Sequence, residues 1–338
     1  MNKKLLLEVQ LTGSCNLKCS YCGNSEKYLN RSHADVATVI KAITELKPST
    51  ILFTGGEVYL EWELLIELLD MLKDSKYNYI LSSNLSLIGT DELDLLIDKY
   101  GFSTFHSSFN DLTEEMSWSV RKASAAERLR LIENLKHLCS RGVNVKVETM
   151  LIKDTINSLK EINAFLYELG VKNHKLEFLI PMGQAKAYIQ VDYYHALDKI
   201  LQLWESKEND SILIPCCCPV TPCMAPHPIF DISSDDLVFN KCIDGEESCY
   251  LLSNGTLLPC FIFPDSEIGC RDYNYYQIWT KEDNFVGMRK RPEKCDRCDY
   301  FYDEKNKKAC CSTGCKVLNY VVNNEFGFVR NIVEERQK

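Results

Sequence analysis

Three cysteines near the N-terminus have a spacing that suits a metal centre. Cys15, Cys19 and Cys22 are separated by three and then two residues. Soft thiolate ligands favour zinc, copper(I) or an iron–sulfur cluster over magnesium or calcium. Three ligands on one short loop leave one position of a tetrahedral or cubane site open, which a catalytic metal needs and a structural metal does not. The spacing alone also permits a zinc knuckle or three unrelated thiols.

The CxxxCxxC spacing resembles the signature of the radical S-adenosylmethionine (radical SAM) enzymes. In that family three cysteines hold three irons of a [4Fe-4S] cluster, and the fourth iron binds S-adenosylmethionine (SAM). The resemblance implies that Cys15, Cys19 and Cys22 are the cluster ligands. Tyr21, directly before the last of them, also fits the family's pattern.

A glycine pair followed by a carboxylate forms a second motif. Gly55, Gly56 and Glu57 come directly after a short apolar stretch, Thr50–Thr54. Glycine lets a backbone approach a ligand closely, and a carboxylate beside it can bind an ammonium group. The segment resembles the radical SAM GGE motif, which implies that it holds the methionyl amine of SAM.

Polar residues also follow other predicted strands, where Ser and Asn usually only cap turns. The resemblance implies that some of them contact the ribose and the carboxylate of SAM. These candidates are Ser82, Asn84, Ser108, Asn110 and Thr149. It further implies that Met182, in a Pro-Met-Gly segment after the sixth predicted strand, lies behind the adenine.

Alternating strands and helices must position these motifs. Six short apolar or alternating stretches predict strands, and helical apolar spacing follows each of them. The predicted strands are Leu5–Thr12, Thr50–Thr54, Tyr79–Ser82, Ser103–Ser108, Asn144–Leu151 and Lys175–Ile180. Residues 32–35 predict a capping box before the first helix.

This alternation predicts an α/β fold with a parallel sheet, curved or closed like an α/β barrel. The cysteine loop follows the first strand and therefore lies at the carboxyl ends of the strands, where such folds carry their chemistry. The resemblance specifies the architecture further, as a partial (β/α)6 TIM-like barrel.

The composition limits the classes of function. A net charge of -9 argues against a nucleic-acid surface, which needs clustered Lys and Arg. No stretch is apolar enough to cross a membrane, and the N-terminus lacks the apolar run of a signal peptide. We therefore expect a cytoplasmic protein whose 17 cysteines bind metal more readily than they form disulfides.

The character of the sequence changes past about Asn209, where prolines and cysteines cluster. We place a boundary between Glu208 and Ile214, with the barrel in residues 1–209 and a small cysteine-rich domain of loops and hairpins in residues 210–338. Within it, Asn254-Gly255 predicts a hairpin between Cys249–Ser253 and Thr256–Leu258. Such a segment has little periodic apolar sequence for a core, so metal clusters would serve as cross-links.

The cysteines of this second domain resemble the SPASM or twitch-like extension of radical SAM enzymes, which binds auxiliary iron–sulfur clusters. The resemblance implies that a first auxiliary cluster is held by Cys242, Cys249, Cys260 and Cys315. It implies that a second cluster takes three ligands from Cys295, Cys298 and Cys311.

The second auxiliary cluster departs from the family pattern in two ways. The twelve residues between Cys298 and Cys311 exceed the usual spacing, and no cysteine follows Cys315. The cluster could therefore recruit Cys310 or Cys270, keep an open iron or be absent. The spacing alone also permits a zinc ribbon at these thiols.

Other candidate residues fit no recognised pattern. One group of thiols could ligate an extra cluster, present a thiol to a substrate or form a disulfide; it comprises Cys216, Cys217, Cys218 and Cys223. Cys139 fits a buried helix position. Arg121-Lys122 predicts a solvated face. The six histidines form no HxxH or HExxH pair, which disfavours a histidine-ligated zinc enzyme.

Together the resemblances imply a radical SAM oxidoreductase or maturase. It would use SAM, one [4Fe-4S] cluster and one or two auxiliary clusters, with electrons from a reductase, a ferredoxin or a flavodoxin. By analogy we expect a peptide or peptide-like substrate that is cross-linked, converted to a thioether or epimerised. Only fourteen residues precede Cys15, so we expect any leader peptide to bind a separate protein or another surface.

Two other functions stay open on the sequence. Within the enzyme class, the chain could oxidise or rearrange a small molecule such as a cofactor, a sugar or an antibiotic precursor. From another class, it could be a non-catalytic metal-binding module. The sequence identifies no catalytic acid or base.

Overall fold

The computed structural model describes residues 5–23, 33–180, 182–187, 191–216, 222, 226–239, 242–263, 274–289 and 298. Eight candidate cysteines lie outside these ranges, so the predictions made for them stay predictions. They are Cys217, Cys218, Cys223, Cys270, Cys295, Cys310, Cys311 and Cys315.

The six predicted strands are present and pair in parallel in chain order. They are β1 (Leu6–Gln10), β2 (Thr50–Thr54), β3 (Asn78–Ser82), β4 (Thr104–Ser108), β5 (Asn144–Leu151) and β6 (Asn173–Phe178). The predicted α/β class with a parallel sheet is confirmed.

The sheet is larger than predicted. A seventh parallel strand, β7 (Ile212–Cys216), extends it beyond β6. At the other edge β8 (Ser248–Leu251) pairs in parallel with β1, and β9 (Leu257–Leu258) returns antiparallel to β8. β7 contains Pro215, which fits its place at the edge of the sheet because proline lacks an amide hydrogen. The sheet thus includes residues on both sides of the predicted domain boundary.

The longer helices follow the predicted apolar periodicities. They are α1 (Val36–Leu46), α2 (Trp62–Leu72), α3 (Thr90–Asp98), α5 (Ala125–Ser140), α6 (Leu159–Glu168) and α7 (Tyr193–Ser206), with the one-turn α4 (Glu114–Met116) before a π-helix at Ser117–Arg121. Short 3-10 helices lie at Val58–Glu61, Gly183–Ala187 and Pro228–Asp231, and α8 (Tyr275–Lys281) and α9 (Asp283–Met288) follow the hairpin. The N-cap of α1 is Asp35, whose carboxylate accepts the amide hydrogen of Thr38 at 2.9 Å, so the capping box predicted to start at Ser32 was wrong.

The two faces of the sheet differ in chemistry because successive strand residues point to opposite sides. One face packs leucines, valines and phenylalanines such as Leu7, Phe53 and Phe105 against the helices. We call the opposite side the inner face. It carries the polar side chains Glu8, His106, Lys146, Glu148, Lys175 and Glu177, which alternate with those buried residues.

The C-terminal hairpin shares the core of the barrel. Leu257 and Leu258 of β9, and Tyr275 and Trp279 of α8, are buried in the same apolar cluster as β1 and α1. The predicted hairpin around Asn254-Gly255 is therefore confirmed, with shorter strands than expected, and it does not depend on cross-links alone. In the part of the chain that the structure describes, no helix is long and apolar enough to span a bilayer.

Candidate cofactor site at the carboxyl ends of the strands

The cysteine loop directly follows β1, as predicted. Cys15, Cys19 and Cys22 are all partly exposed. The Leu17 amide donates to Cys15 Sγ at 3.4 Å, and amide donors of this kind stabilise a thiolate. Burial raises the pKa of the Cys15 thiol to about 12, so this thiol stays protonated at neutral pH unless a cation binds it.

This donor set fits an iron–sulfur cluster. Thiolates are the ligands that such clusters use, and partial exposure leaves room for a further ligand. Across residues 5–23 and the other described ranges, no three His, Cys, Asp or Glu side chains converge on a single metal ion. In a cubane cluster each cysteine ligates its own iron, so its thiols do not need to converge in that way.

The glycine motif is built against the start of the cysteine loop. The Gly56 amide donates to Thr12 O at 2.7 Å, and the Glu57 amide donates to Ser14 O at 2.8 Å. A Cβ atom on Gly56 would lie 2.2 Å from Ser14 O, and one on Gly55 would lie 2.8 Å from Thr12 O. Glycine is thus required at both positions because two backbones meet there, a reason that the sequence did not reveal.

Glu57 joins the carboxyl ends of β2 and β3. The residue is 1% exposed. Its carboxylate accepts hydrogen bonds from Ser83 Oγ at 2.6 Å, the Asn84 amide at 2.8 Å and the Tyr59 amide at 3.1 Å. Burial raises the pKa of Glu57, and these three hydrogen bonds oppose that rise. Ser83 is therefore a site residue that the sequence prediction missed, and the contact of Glu57 with the SAM amine stays a prediction.

Asn84 connects β3 to the cysteine loop through a residue that was also missed. Its side-chain amide donates to Asn16 Oδ1 at 2.9 Å. Asn16 in turn donates to Ser86 Oγ at 2.9 Å and to Glu127 Oε1 at 2.8 Å on α5. An asparagine inside the cysteine motif gives no sequence signal for these distant partners.

Asn110 and Tyr21 meet at the end of β4. The Asn110 amide donates to Tyr21 Oη at 2.8 Å, and its oxygen accepts the Met150 amide at 2.7 Å. Beyond β6, the Gln184 amide donates to Cys22 O at 3.0 Å. This bond holds the segment that contains Met182 beside the cysteine loop, so these predicted residues lie around one site.

Arg121 contradicts its predicted place on a solvated face. It is 1% exposed, and its Nη1 lies 3.4 Å from Oδ1 of the buried Asp111. Its carbonyl accepts the Lys18 amide at 3.2 Å, so it lies directly behind the cysteine loop. The π-helix ends there and turns Arg121 inward, whereas Lys122 stays exposed.

Thr149 lies on the helix-facing side of β5 rather than on the inner face. Its hydroxyl donates to Phe109 O at 2.8 Å and lies 2.9 Å from His174 Nε2. His174 is itself bonded to Asn163 of α6 at 3.1 Å. Thr149 thus belongs to a buried polar network between sheet and helix, away from Ser82 and Ser108, and this arrangement does not support its predicted contact with SAM.

Two predicted auxiliary ligands, Cys249 and Cys260, lie near the carboxylate of Asp244 beside β1. Cys249 and Cys260 are buried, and Cys242 is partly exposed. Asp244 accepts a hydrogen bond from the Cys260 thiol and another from Ser248 Oγ at 2.8 Å. Burial, with the nearby charges of Glu8 and Asp244, raises the pKa of Cys249. The fourth predicted ligand, Cys315, lies outside the described residues.

Comparisons with known proteins show what this chain is similar to in sequence and in fold. Residues 9–166 match the sequence model of the Radical SAM superfamily. The AdoMet-dependent heme synthase of Oleidesulfovibrio alaskensis is 25% identical over 326 residues, covering 87% of this chain and 80% of that protein. The GTP 3',8-cyclase of Clostridium botulinum is 25% identical over 288 residues, covering 79% of this chain and 84% of that one.

Among solved structures, SuiB of Streptococcus suis has a similar fold. Its structure bound to S-adenosylmethionine superposes with a TM-score of 0.71 at 17% identity, covering 98% of this chain and 77% of SuiB. Its structure bound to the precursor peptide SuiA superposes with a TM-score of 0.70. The match covers nearly the whole chain.

Proposed function

We propose that this chain, a radical SAM enzyme by family, binds a [4Fe-4S] cluster through Cys15, Cys19 and Cys22 and uses it to cleave SAM reductively. When bound, the cluster and SAM supply the electron and the 5′-deoxyadenosyl radical that removes hydrogen from an unreactive C–H bond. The main support is the way in which the cysteine loop and the Gly55-Gly56-Glu57 segment are hydrogen-bonded into one unit.

Around this unit, the protein's own residues orient the ligands. Glu57 fixes the ends of β2 and β3, and Asn110 fixes Tyr21 against β4 and β5. We place Ser82 and Ser108 at the ribose and carboxylate of SAM because both are partly exposed at strand ends on the inner face. We place the auxiliary cluster at Cys242, Cys249 and Cys260, with Cys315 as the fourth ligand.

We favour a peptide or peptide-like substrate. The likeness to SuiB, whose structure was solved with a precursor peptide, covers 98% of this chain, so an architecture of this kind accommodates a peptide. The alternative is a small molecule, which the sequence relatives support because a heme synthase and a GTP cyclase act on small molecules. We further propose a cytoplasmic enzyme that takes its electron from a ferredoxin or flavodoxin, since many thiols stay reduced in that compartment.

The test is reductive SAM cleavage by the anaerobically reconstituted protein. We expect bound iron and acid-labile sulfide, and formation of 5′-deoxyadenosine when dithionite is added. Protein without iron at these thiols, or with iron but no 5′-deoxyadenosine, would overturn the proposal. For the substrate, short peptides encoded beside the gene are incubated with the enzyme and analysed by mass spectrometry; the loss of two hydrogens from one of them supports the peptide assignment.

A further inference from the structure

The inner face carries a group of charged and polar side chains that the cofactor site does not use. Strand pairing places His106 beside Ser82 on one side and beside Lys146 on the other. The next row toward the carboxyl ends places Glu148 between Ser108 and Lys175. These groups therefore continue directly from the strand-end serines into the barrel.

Lys175 on this face is already paired with two carboxylates. The ammonium of Lys175 contacts the Glu148 carboxylate and lies 3.1 Å from Glu177 Oε1. The Lys175 side chain is 13% exposed, and those of Glu148 and Glu177 are 30% and 18% exposed. Lys175 is thus already neutralised by carboxylates, and the three side chains stay partly exposed.

His106 and Lys146 differ from Lys175 because they lack such partners. His106 Nε2 is buried and has no hydrogen-bond partner, which is uncommon for a buried polar atom. Lys146 forms no ion pair with any residue that the structure describes. Burial and the nearby lysines lower the pKa of His106 to about 4, so its ring is neutral at pH 7. The adjacent strands thus present one ammonium and one unsatisfied imidazole nitrogen side by side.

We propose that His106 and Lys146 form a substrate subsite that binds a single carboxylate group. The ammonium of Lys146 supplies the charge, and the imidazole of His106 supplies a second hydrogen bond from the neighbouring strand. The assignment rests on the proposed function, since it places the substrate on the inner face beside Ser82. It narrows the substrate class to carboxylates, in a peptide or in a small acid.

The local charge favours a carboxylate over a polyphosphate. Among the described residues, Lys146 is the one cation of this wall that is not already paired, and the Glu148 carboxylate lies close to it. A triphosphate would bring several negative charges to one available ammonium and would face the Glu148 carboxylate, and like charges at close range repel. One monoanionic group needs only the single ammonium of Lys146 as its partner.

The experiment follows the ring signals of histidine by NMR in the reconstituted protein with its cluster oxidised. Carbon-13 labelled histidine gives six ring signals, and the signal lost in His106→Gln identifies His106. The probes are N-acetylglycine, its uncharged match N-acetylglycinamide, acetate and tripolyphosphate. The variants are Lys146→Met and the matched control Lys136→Met, an exposed lysine on α5. Iron content checks that each variant is folded and loaded.

We expect N-acetylglycine to shift the His106 signal saturably, with affinity reduced about tenfold or more in Lys146→Met and unchanged in Lys136→Met. Tighter binding of N-acetylglycine than of acetate points to a peptide carboxylate, and equal binding points to a small acid. The proposal is overturned if no carboxylate binds, if the uncharged amide or tripolyphosphate binds as well, or if Lys146→Met binds like wild type.

The same samples separate this proposal from the proposed function. Dithionite-driven formation of 5′-deoxyadenosine is measured beside the titration. Carboxylate binding without SAM cleavage would overturn the radical SAM activity and leave the subsite intact. SAM cleavage without carboxylate binding would overturn the subsite and leave the radical SAM activity intact.

Discussion

The two groups of cysteines differ in their position around β1 and in their surroundings. Cys15, Cys19 and Cys22 are on a loop at the carboxyl end of this strand, and all three are partly exposed. Cys249 and Cys260 belong to the hairpin along its edge and are only 1% and 6% exposed. The same residue type is thus presented to ligands in one region and enclosed by the core in the other.

The difference in exposure indicates which role each group of cysteines suits. A metal centre that takes part in chemistry needs a position that substrate or cofactor can reach, which the loop provides. Thiols enclosed in a core that includes Leu257 and Trp279 suit a centre that stabilises the fold or accepts an electron. The predictions below test whether SAM cleavage follows the exposed group, and whether substrate turnover or stability follows the enclosed one.

Removing one exposed thiol is expected to have the largest effect. Cys19→Ala leaves two thiols on the loop, and we expect loss of the loop cluster and of all detectable 5′-deoxyadenosine. Iron content and product are measured after anaerobic reconstitution. By contrast, Cys260→Ala is expected to spare SAM cleavage but to block substrate turnover, and Cys139→Ala on α5 serves as the neutral control. SAM cleavage by Cys19→Ala would contradict the division of roles.

Adding a methyl group where the loop meets β2 is expected to be almost as damaging. In Gly56→Ala the new Cβ would lie 2.2 Å from Ser14 O, so the backbone before Cys15 must shift. We expect a loss of about 1–3 kcal/mol in the free energy of unfolding and a reduced iron content. Gly23→Ala is the matched control, because its Cβ would meet Phe261 at an ordinary 3.8 Å. Equal iron content in the two variants would show that the cysteine loop does not depend on the close contact between the backbones at Gly56 and Ser14.

Glu8 of β1 lies between the two regions and predicts a pH dependence. Burial and the charge of Asp244 raise the pKa of Glu8 from 4.5 to about 8. The folded protein therefore keeps a proton that the unfolded chain loses, so this group's contribution to stability falls as the pH rises from about 4.5 to 8. We expect Glu8→Gln to flatten that fall in urea unfolding, while Glu63→Gln, exposed on α2, leaves it unchanged. If Glu8→Gln leaves the fall of stability with pH unchanged, a group other than Glu8 causes that fall.

The sequence predicted the parts of this site that depend on local pattern. Strand–helix alternation located the six central strands, and the cysteine spacing located the loop. Asn254-Gly255 located the hairpin because its turn chemistry is local. The predictions failed where distant residues decide the outcome. The sequence did not predict β7, because Pro215 and the following cysteines are not typical of a strand and because the strand forms by pairing with β6.

The roles of single side chains were harder to predict than the motifs. Ser82 and Ser83 are equivalent in sequence, but only Ser83 reaches Glu57. Arg121 is followed by an exposed lysine, and only the π-helix shows which of the two turns inward. The face on which a residue lies depends on where its strand starts, and the structure places Thr149 on the helix-facing side of β5.

Ser83→Ala tests the bond that joins β2 to β3. The change leaves one oxygen of the buried Glu57 carboxylate with only the Tyr59 amide, so we expect a loss of about 2 kcal/mol in the free energy of unfolding. Ser82→Ala is the matched control because it alters the inner face without touching Glu57. We expect it to keep full stability and to weaken SAM binding. Equal destabilisation by both variants, measured by urea unfolding, would contradict the assignment of Ser83.

Thr149→Val is expected to have the smallest effect. It tests whether this residue of β5 stabilises the fold or contacts the cofactor. The change removes a hydroxyl that bonds Phe109 O and His174, so we expect a loss of about 1 kcal/mol in stability with no change in SAM affinity. Thr149→Ser keeps the hydroxyl and should recover most of that loss. Weaker SAM binding in Thr149→Val at unchanged stability would mean that β5 presents this residue to the cofactor after all. Unchanged SAM binding would leave the cofactor site to the ends of β1 through β4 and to the Met182 segment beside the cysteine loop.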